Sequence, residues 1–168
     1  MSEPDRTVHL ALPAWYAEEY PKVYRALLVL TGSPSEARDL TDEAFTRAVE
    51  RWRRVSRMDS PGGWVQTVAL NLFRRSRRHH SDRPLVESDL VAVGLDEHVD
   101  VDLQRAIAML STRKRQAVVC RYVLDMTERE TAAALGVAVG TVARILHEAR
   151  NELRAQLAIA QPTVEAPK

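Results

Sequence analysis

Residues 127–157, TERETAAALGVAVGTVARILHEARNELRAQL, contain the clearest pattern in the chain and decide its fold class. Thr127 and Glu130 have the spacing of a capping box, in which two side chains satisfy the first backbone amides of a helix. Gly136 suits the left-handed residue that ends a helix. After the turn 137–140, helical spacing returns at Val142, Ile145, Leu146, Ala149, Leu153 and Leu157. Two helices joined by so short a turn predict a helix-turn-helix.

The second helix of this motif has a polar face that suits DNA. In a helix-turn-helix the second helix keeps one side in the core and presents its N-terminal half to the major groove. Arginine and asparagine are the residue types that contact guanine, adenine and phosphate there. Short helical hairpins also occur in proteins that do not bind DNA, so that alternative stays open. The candidate DNA contacts are Thr141, Arg144, His147, Arg150 and Asn151.

Upstream of this motif, helical periodicity also dominates. A segment opening at Ser111 runs to Leu124, preceded by apolar residues at Leu103, Ile107 and Leu110. In the first half, a helix from Trp15 to Leu30 is predicted to bend at Pro21 and to end at Thr31-Gly32. A long helix should then start at Ser33-Pro34-Ser35-Glu36, where Glu36 can complete a capping box. Its apolar stripe is Ala37, Leu40, Ala44, Phe45, Ala48, Val49 and Trp52.

A further helix is predicted to open at Ser60-Pro61 and to end in the basic run from Arg74 to His80. Its earlier turns contain Trp64, Asn71 and Phe73. Interleaved aromatic and basic side chains can stack on unpaired bases and contact a phosphate backbone. The helix is therefore a candidate for binding single-stranded nucleic acid, with an ordinary solvated basic surface as the alternative.

Charge is distributed unevenly along the 168 residues, although the formal net charge is only +1. Residues 1–80 carry +3, residues 81–102 carry −6 and residues 103–157 carry +4. Two basic blocks around an acidic connector indicate two surfaces that face a polyanion, with plain solvated surfaces as the alternative. We predict an all-α protein with an N-terminal extension (1–12), a helical domain (13–80), an acidic linker (81–102), a helix-turn-helix domain (103–157) and a tail (158–168).

Several function classes find no support in the sequence. Cys120 is the only cysteine, so cysteine zinc pairs, a redox CxxC and an intrachain disulfide are excluded, and we expect it in the core. His79, His80 and His98 lack partners at metal-ligand spacing. Phosphate-loop and hydrolase motifs are absent, so we predict no enzyme activity, no metal and no cofactor. Without a signal peptide or membrane-span pattern, we expect a cytoplasmic protein with no membrane insertion.

The first half resembles the core-binding and −10-binding domain of the extracytoplasmic-function (ECF) sigma factors, which belong to the sigma-70 family of bacterial transcription initiation factors. The similarity rests on Leu30-Thr31-Gly32, the run from Glu36 to Phe45, and Gly63-Trp64-Val65 with Asn71. The resemblance implies that Asp39, Leu40, Asp42, Glu43, Phe45, Arg47 and Trp52 bind core RNA polymerase, through its β and β′ subunits. It also implies −10 DNA contacts at Arg57, Met58, Asp59, Trp64, Asn71, Arg74, Arg75 and Arg78.

The second half resembles the −35-binding domain of the same family through Leu135-Gly136-Val137, Gly140-Thr141-Val142 and Ala149-Arg150. Ala138 stands where the family commonly has a capping serine, and Ala143-Arg144-Ile145 stands where Lys-Ser-Arg is usual. Glu148 replaces a frequent arginine. We therefore expect a weakened or altered −35 contact and greater dependence on the first domain.

The resemblance as a whole covers about residues 13–157 and implies a bacterial sigma factor. Its partners would be core RNA polymerase and promoter DNA, with an anti-sigma factor as a further candidate. Two other interpretations stay open. One is a helix-turn-helix regulator that does not bind polymerase, and the other is a sigma-like decoy that docks without initiating transcription.

Overall fold

The computed structural model describes residues 4–79 and 101–160, and within these ranges all regular structure is helical. This confirms the all-α prediction. Most of the predicted acidic linker and residues 161–168 lie outside the described residues. The first unit contains α1 (Pro4–Thr31), α2 (Pro34–Glu50), α3 (Trp52–Val55) and α4 (Pro61–His79). The second unit contains α5 (Val101–Met109), α6 (Thr112–Val118), a π-helical turn (Val119–Val123), α7 (Glu128–Leu135) and α8 (Val139–Ala160).

Helix α1 is longer than predicted, because it begins at Pro4 and contains both Pro13 and Pro21. It ends where expected, and Gly32 follows with a φ of 68°, a left-handed conformation that glycine adopts without steric cost. Ser33 caps α2 by accepting a hydrogen bond from the Glu36 amide at 3.3 Å.

The predicted capping box at the start of α2 is only half formed. Instead of reaching back to Ser33, the Glu36 carboxylate accepts hydrogen bonds from Ser76 and Arg77 of α4, each at 2.9 Å. The side chain of Glu36 is thus committed to tertiary structure. It joins the start of α2 to the last turns of α4, the helix that carries the basic run.

Two residues predicted to bind polymerase, Phe45 and Trp52, lie in the core of the first unit. Phe45 is 1% exposed and Trp52 is 7% exposed. Both pack near Trp15, with ring centroids 5.2 and 4.8 Å from the Trp15 ring. Trp52 also lies beyond the end of α2, since α2 stops at Glu50 and α3 begins at Trp52. Because these rings are covered by the protein itself, they stabilise the core of the first unit and offer little surface for a direct polymerase contact in this structure.

The second unit forms as its sequence predicts, with two shifts in helix bounds. Thr127 and Glu130 make both bonds of the capping box, and Gly136 ends α7 with φ 65° and ψ 40°. Helix α8 begins at Val139, two residues before the predicted Thr141. The helix predicted from Ser111 to Leu124 changes to a π-helical turn after Val118. The core of this unit contains Leu110, Ala117, Val118, Ala132, Val142, Ile145, Leu146 and Ala149.

The buried Arg115 joins α5 to α6. Its guanidinium donates to three carbonyl oxygens at the end of α5, those of Ile107 at 3.2 Å, Leu110 at 3.0 Å and Ala108. The Ile107 carbonyl also accepts from the Leu110 amide at 3.2 Å, and the guanidinium adds donors to the carbonyls that the helix end leaves exposed. Burial is the main reason that the pKa of Arg115 falls to about 10, and the nearby charge of Arg77 lowers it further.

The π-helical turn lies between the two units. Val118, just before it, belongs to the core of the second unit, whereas Val119 and Cys120 pack with the core of the first. Leu124, Met126 and Ala134 join them there. We call Val119, Cys120, Leu124, Met126 and Ala134, together with the first-unit core residues of the same hydrophobic cluster, the shared cluster. Cys120 is buried as predicted, and its burial raises the pKa of the thiol to about 12.

Candidate nucleic-acid interface

Helix α8 turns an apolar side inward and a polar side outward. Val142, Ile145, Leu146 and Ala149 are at most 6% exposed. The five predicted DNA-contact residues lie outside this buried stripe. Arg144, His147, Arg150 and Asn151 are exposed, and Thr141 is half-buried near the start of the helix. The arrangement expected of a recognition helix is therefore present.

Hydrogen bonds connect the exposed residues along one side of α8. The amide Nδ2 of Asn151 lies 3.1 Å from Nε2 of His147, one turn earlier. Arg154 donates to Oδ1 of Asn151 at 3.5 Å. The orientation of Asn151 is thus fixed from both sides before any ligand binds. Arg154 was not among the predicted contacts, although its position three residues after Asn151 places it on the same face.

A second polar cluster on α8 was missed by sequence reasoning. Lys114, in the first turn of α6, contacts the carboxylates of Glu152 at 2.5 Å and Glu148 at 3.5 Å. The hydrogen bond to Glu152 is the main cause of the raised pKa of Lys114. The Ser111 cap, whose oxygen accepts from the Lys114 amide at 3.5 Å, fixes the start of α6 beside α8. In the sequence, only the Ser111 cap and the basic residues after it indicate this cluster of Lys114 with Glu148 and Glu152.

Helix α4 presents a different kind of surface. Thr67, Asn71, Arg75 and Arg78 are exposed and recur at helical spacing, so they form one stripe along the helix. Three of these residues, Asn71, Arg75 and Arg78, were predicted to contact DNA. Their side chains carry donors that suit phosphate or base edges.

The fourth predicted residue of this run, Arg74, faces the second unit instead. It is half-buried, and burial lowers the pKa of its guanidinium. The buried Cys120 of the shared cluster is close enough to interact with it electrostatically. In this arrangement of the two units Arg74 is therefore less accessible to DNA than Arg75 or Arg78.

Three of the four remaining −10 candidates line a groove between the two units. The groove has a volume of about 1020 Å³. Met58, Asp59 and the half-buried Trp64 line it on the first unit, and Leu124, Asp125 and Met126 line it on the second. Arg57 is exposed in the same turn between α3 and α4.

The start of α4 has a local reason to be rich in glycine. Ser60 caps the helix by accepting from the Gly63 amide at 3.0 Å. The buried Glu19 side chain lies so close that a Cβ on Gly62 would meet its Oε2 at 2.8 Å. Gln66 in turn donates to Glu19 at 3.4 Å. These contacts fix the first turn of α4, and with it Trp64, against α1.

The polymerase candidates on α2 divide into an exposed and a buried set. Asp39, Asp42 and Glu43 are exposed, Leu40 and Arg47 are half-buried, and Phe45 is in the core. Asp42 accepts a hydrogen bond from the Tyr20 hydroxyl at 2.6 Å, while Arg47 pairs with Glu43 at 2.8 Å. Burial, followed by this bond to Asp42, raises the pKa of Tyr20 well above its ordinary value. The exposed acidic face is thus held in place by neighbouring side chains.

The described residues show neither a metal site nor a single membrane-spanning helix. Residues 4–79 and 101–160 contain no group of three or more His, Cys, Asp or Glu placed to hold a metal ion. His80 and His98 lie outside them. No single helix there combines the length and hydropathy of a membrane span, and α7 with α8 does so only as a pair bent by 98°.

These features define a class of protein: an all-α chain of two helical units, one of which carries a helix-turn-helix. Comparison with known families makes this more specific. A Sigma-70 region 2 model matches residues 15–83, and a Sigma-70 region 4 model matches residues 100–153. The ECF RNA polymerase sigma factor SigC of Mycobacterium tuberculosis is 31% identical, and the match covers 90% of this chain and 84% of the relative. The chain belongs to the ECF sigma factors of the sigma-70 family.

Other relatives agree with this assignment. ECF sigma factor SigE of Mycolicibacterium smegmatis is 31% identical over 88% of this chain, which spans 63% of that relative. The RNA polymerase sigma-E factor of Streptomyces coelicolor is 29% identical, over 83% of this chain and 85% of the relative. Among solved structures, sigma factor RpoE of Bartonella quintana, in complex with anti-sigma factor NepR, matches with a TM-score of 0.73 and 22% identity. That match covers 90% of this chain and 99% of RpoE. It supports the two-unit helical fold.

Proposed function

We propose that this chain directs RNA polymerase to promoters by holding two DNA elements on two different helices. The exposed stripe of α4 captures the unpaired strand of the −10 element, and α8 binds the duplex −35 element. The observation that carries the proposal is the exposed row of Asn71, Arg75 and Arg78 beside Trp64 at the groove. A row of donors next to an aromatic ring suits a strand whose bases are unstacked.

No covalent chemistry is needed for promoter opening in this mechanism. Flipping a base out of a duplex costs a few kcal/mol of stacking and pairing. Stacking a base on an aromatic ring returns about 1–3 kcal/mol. Trp64, together with Arg57, Met58 and Asp59 in the preceding turn, is our candidate for receiving such a base. Binding energy on α4 then favours the open strand.

Polymerase binding is assigned to the exposed side of α2. Asp39, Asp42 and Glu43 form an acidic surface, and Leu40 adds apolar area beside it. Carboxylates held in place by neighbours lose little side-chain freedom on binding, which lowers the cost of association. Phe45 and Trp52 lie in the core of the first unit and stabilise the helices that carry this surface. Because RNA polymerase works on the chromosome, a bacterial cytoplasmic location follows from the proposal.

Binding both elements at once requires the two units to separate. The element names correspond to a spacing of about 25 base pairs, or about 85 Å at 3.4 Å per base pair. A compact chain of this length has a diameter of about 40 Å. The shared cluster, which joins the units through Val119, Cys120 and Leu124, must therefore open on the promoter.

The proposal is tested by reconstitution with bacterial core RNA polymerase that lacks other sigma factors. The full chain is added to genomic DNA, and transcript 5′ ends are sequenced. We expect discrete start sites that share two upstream elements. The anti-sigma factor NepR in the matched RpoE complex suggests a protein inhibitor as a further partner class, which the same assay can detect as lost transcription when such an inhibitor is added.

Other outcomes of this assay would refute the proposal. Stable polymerase binding without start sites would identify a decoy. No polymerase binding, combined with binding to a palindromic DNA site, would identify a helix-turn-helix regulator, because dimers of such regulators read symmetric half-sites.

A further inference from the structure

The side of α8 that faces α6 carries an acidic residue among basic ones. Thr141, Arg144 and Glu148 follow one another at three- and four-residue steps, so they share a face of the helix. With Ser111, Arg113 and Lys114 of the neighbouring helix start, they line a notch of about 240 Å³. Glu148 is the one carboxylate in this lining.

Glu148 is held from one side and open on the other. Lys114 lies 3.5 Å from its carboxylate and is itself anchored more tightly by Glu152, at 2.5 Å. The Glu148 side chain is 46% exposed, so it remains accessible to a ligand. A side chain oriented before binding loses less entropy on contact. This geometry suits a contact group better than a simple structural ion pair.

A carboxylate in a major groove discriminates strongly among base edges. It only accepts hydrogen bonds, and cytosine presents the N4 amino donor. Guanine presents two acceptors, N7 and O6, which repel a carboxylate. Adenine presents its N6 amino donor next to the N7 acceptor, so repulsion from N7 partly cancels the hydrogen bond that a carboxylate could accept. Thymine presents the O4 acceptor and a methyl group but no donor, and phosphate oxygens are also repelled, which leaves cytosine as the favoured partner.

We propose that Glu148 is a specificity-determining residue of this sigma factor and accepts a hydrogen bond from the N4 amino group of a cytosine in the duplex element. This inference rests on the proposed function of α8. Four residues of helix rise about 6 Å, and base pairs are spaced by 3.4 Å. The cytosine therefore lies within about two base pairs of the base that Arg144 contacts.

The test is selection from a promoter library whose upstream element is randomised, using core polymerase reconstituted with the full chain. Three chains are compared: the unchanged protein, Glu148→Gln and Glu152→Gln. We expect Glu148→Gln to lower the preference for cytosine at one position by about fivefold or more, and to move it toward adenine, which glutamine reads in a bidentate manner. Glu152→Gln removes the other Lys114 partner but keeps the Glu148 carboxylate, so it should at most weaken the preference for cytosine and should not move it toward adenine.

Each alternative result has a definite meaning. If Glu148→Gln keeps the base preferences of the unchanged protein, the inference is wrong while the proposed function stands. If both glutamine variants bind all sequences more tightly without a change in preference, Glu148 only neutralises Lys114, and the inference is again wrong. If the unchanged protein enriches no upstream sequence, both the −35 part of the proposed function and the inference about Glu148 are wrong. Thermal unfolding of both variants checks that they are folded.

Discussion

The exposed faces of α4 and α8, which we propose to contact DNA, differ in how their side chains are held. On α4 the exposed stripe of Asn71, Arg75 and Arg78 is polar and basic. On α8 several of the exposed side chains are joined to one another, as His147 is to Asn151, or to α6, as Glu148 is to Lys114. The first face offers positive charge and donors, whereas the second offers oriented groups with part of its charge neutralised.

This difference has a physical consequence for recognition. Contacts between arginine and phosphate give affinity that falls steeply with salt and carries little sequence information. Oriented groups that meet base edges give specificity. We therefore expect the first unit to supply most of the binding strength and the second unit to supply selectivity.

The largest effect is expected from removing the arginines of the α4 stripe. In the double variant Arg75→Ala with Arg78→Ala, two contacts worth roughly 1–2 kcal/mol each are lost, so initiation should fall by about 30- to 800-fold. The measurement is the rate of open-complex formation by reconstituted polymerase. The matched control is Arg53→Ala with Arg54→Ala, which removes two exposed arginines of α3. Equal losses in the two variants would mean that total charge, rather than the α4 stripe, matters.

The second prediction compares the stability of the second unit after replacing a buried arginine with its stability after replacing an exposed one. Arg115→Met removes a buried guanidinium that donates to three carbonyls at the end of α5. Hydrogen bonds from a charged donor contribute about 1.5–3 kcal/mol, so we expect a loss of about 3 kcal/mol in the free energy of unfolding. Chemical denaturation of the full chain measures it. The neighbouring exposed Arg113→Met should change stability by less than about 0.5 kcal/mol. A similar loss in both would contradict this role.

Helix type and local caps could be read from the sequence because they depend on neighbouring residues. The box of Thr127 and Glu130, the left-handed Gly136 and the serine cap at Ser33 were all predicted, and each is formed. Periodicity also separated the buried side of α8 from the exposed one. These features need only the chemistry of a few adjacent positions.

Features that depend on the partner helix could not be predicted in this way. Glu36 has the position of a capping-box residue, yet Ser76 and Arg77, about forty residues later, bind its carboxylate. Phe45 belongs to a motif that resembles a polymerase-binding segment, but the ring packs against Trp15. Likewise, Arg74 looks equivalent to Arg75 in the sequence, yet in the structure it is half-buried and interacts with Cys120 of the second unit. In each case a distant residue decides where the side chain lies.

A smaller effect should appear in the salt dependence of binding by the second unit. Each phosphate contact contributes about 0.9 to the slope of log K against log salt. If Arg150 contacts a phosphate, Arg150→Gln should flatten that slope by about one and lower affinity uniformly across sequences. Fluorescence anisotropy with a duplex at several salt concentrations measures this. The control is Arg105→Gln on α5, whose side chain lies 3.7 Å from Asp102. A change of base preference in Arg150→Gln would instead make Arg150 a base contact.

The smallest effect concerns the capping box that begins the helix-turn-helix. Thr127→Ala should lower the free energy of unfolding by about 1 kcal/mol, because the cap of α7 is lost. The hydrogen bond from the Thr127 hydroxyl, followed by that from the Thr127 amide, lowers the pKa of Glu130 below its ordinary 4.5. A carboxyl with a lowered folded pKa stabilises the fold above its unfolded value, and this contribution is lost as pH falls through the folded pKa.

The stability difference between the unchanged chain and Glu130→Gln should therefore be constant near neutral pH and shrink as the pH falls below about 4.5. Urea unfolding across this pH range measures it. Glu128→Gln removes the same charge from the first turn of α7 while leaving both bonds of the box in place. If Glu128→Gln loses the same unfolding free energy with the same pH dependence, the general electrostatics of the helix N-terminus explains the effect. A pH-dependent penalty seen only in Glu130→Gln would arise from the Thr127–Glu130 capping box. The start of α7 would then be an acid-sensitive point of the second unit, whereas the α4 stripe of Asn71, Arg75 and Arg78 contains no carboxylate.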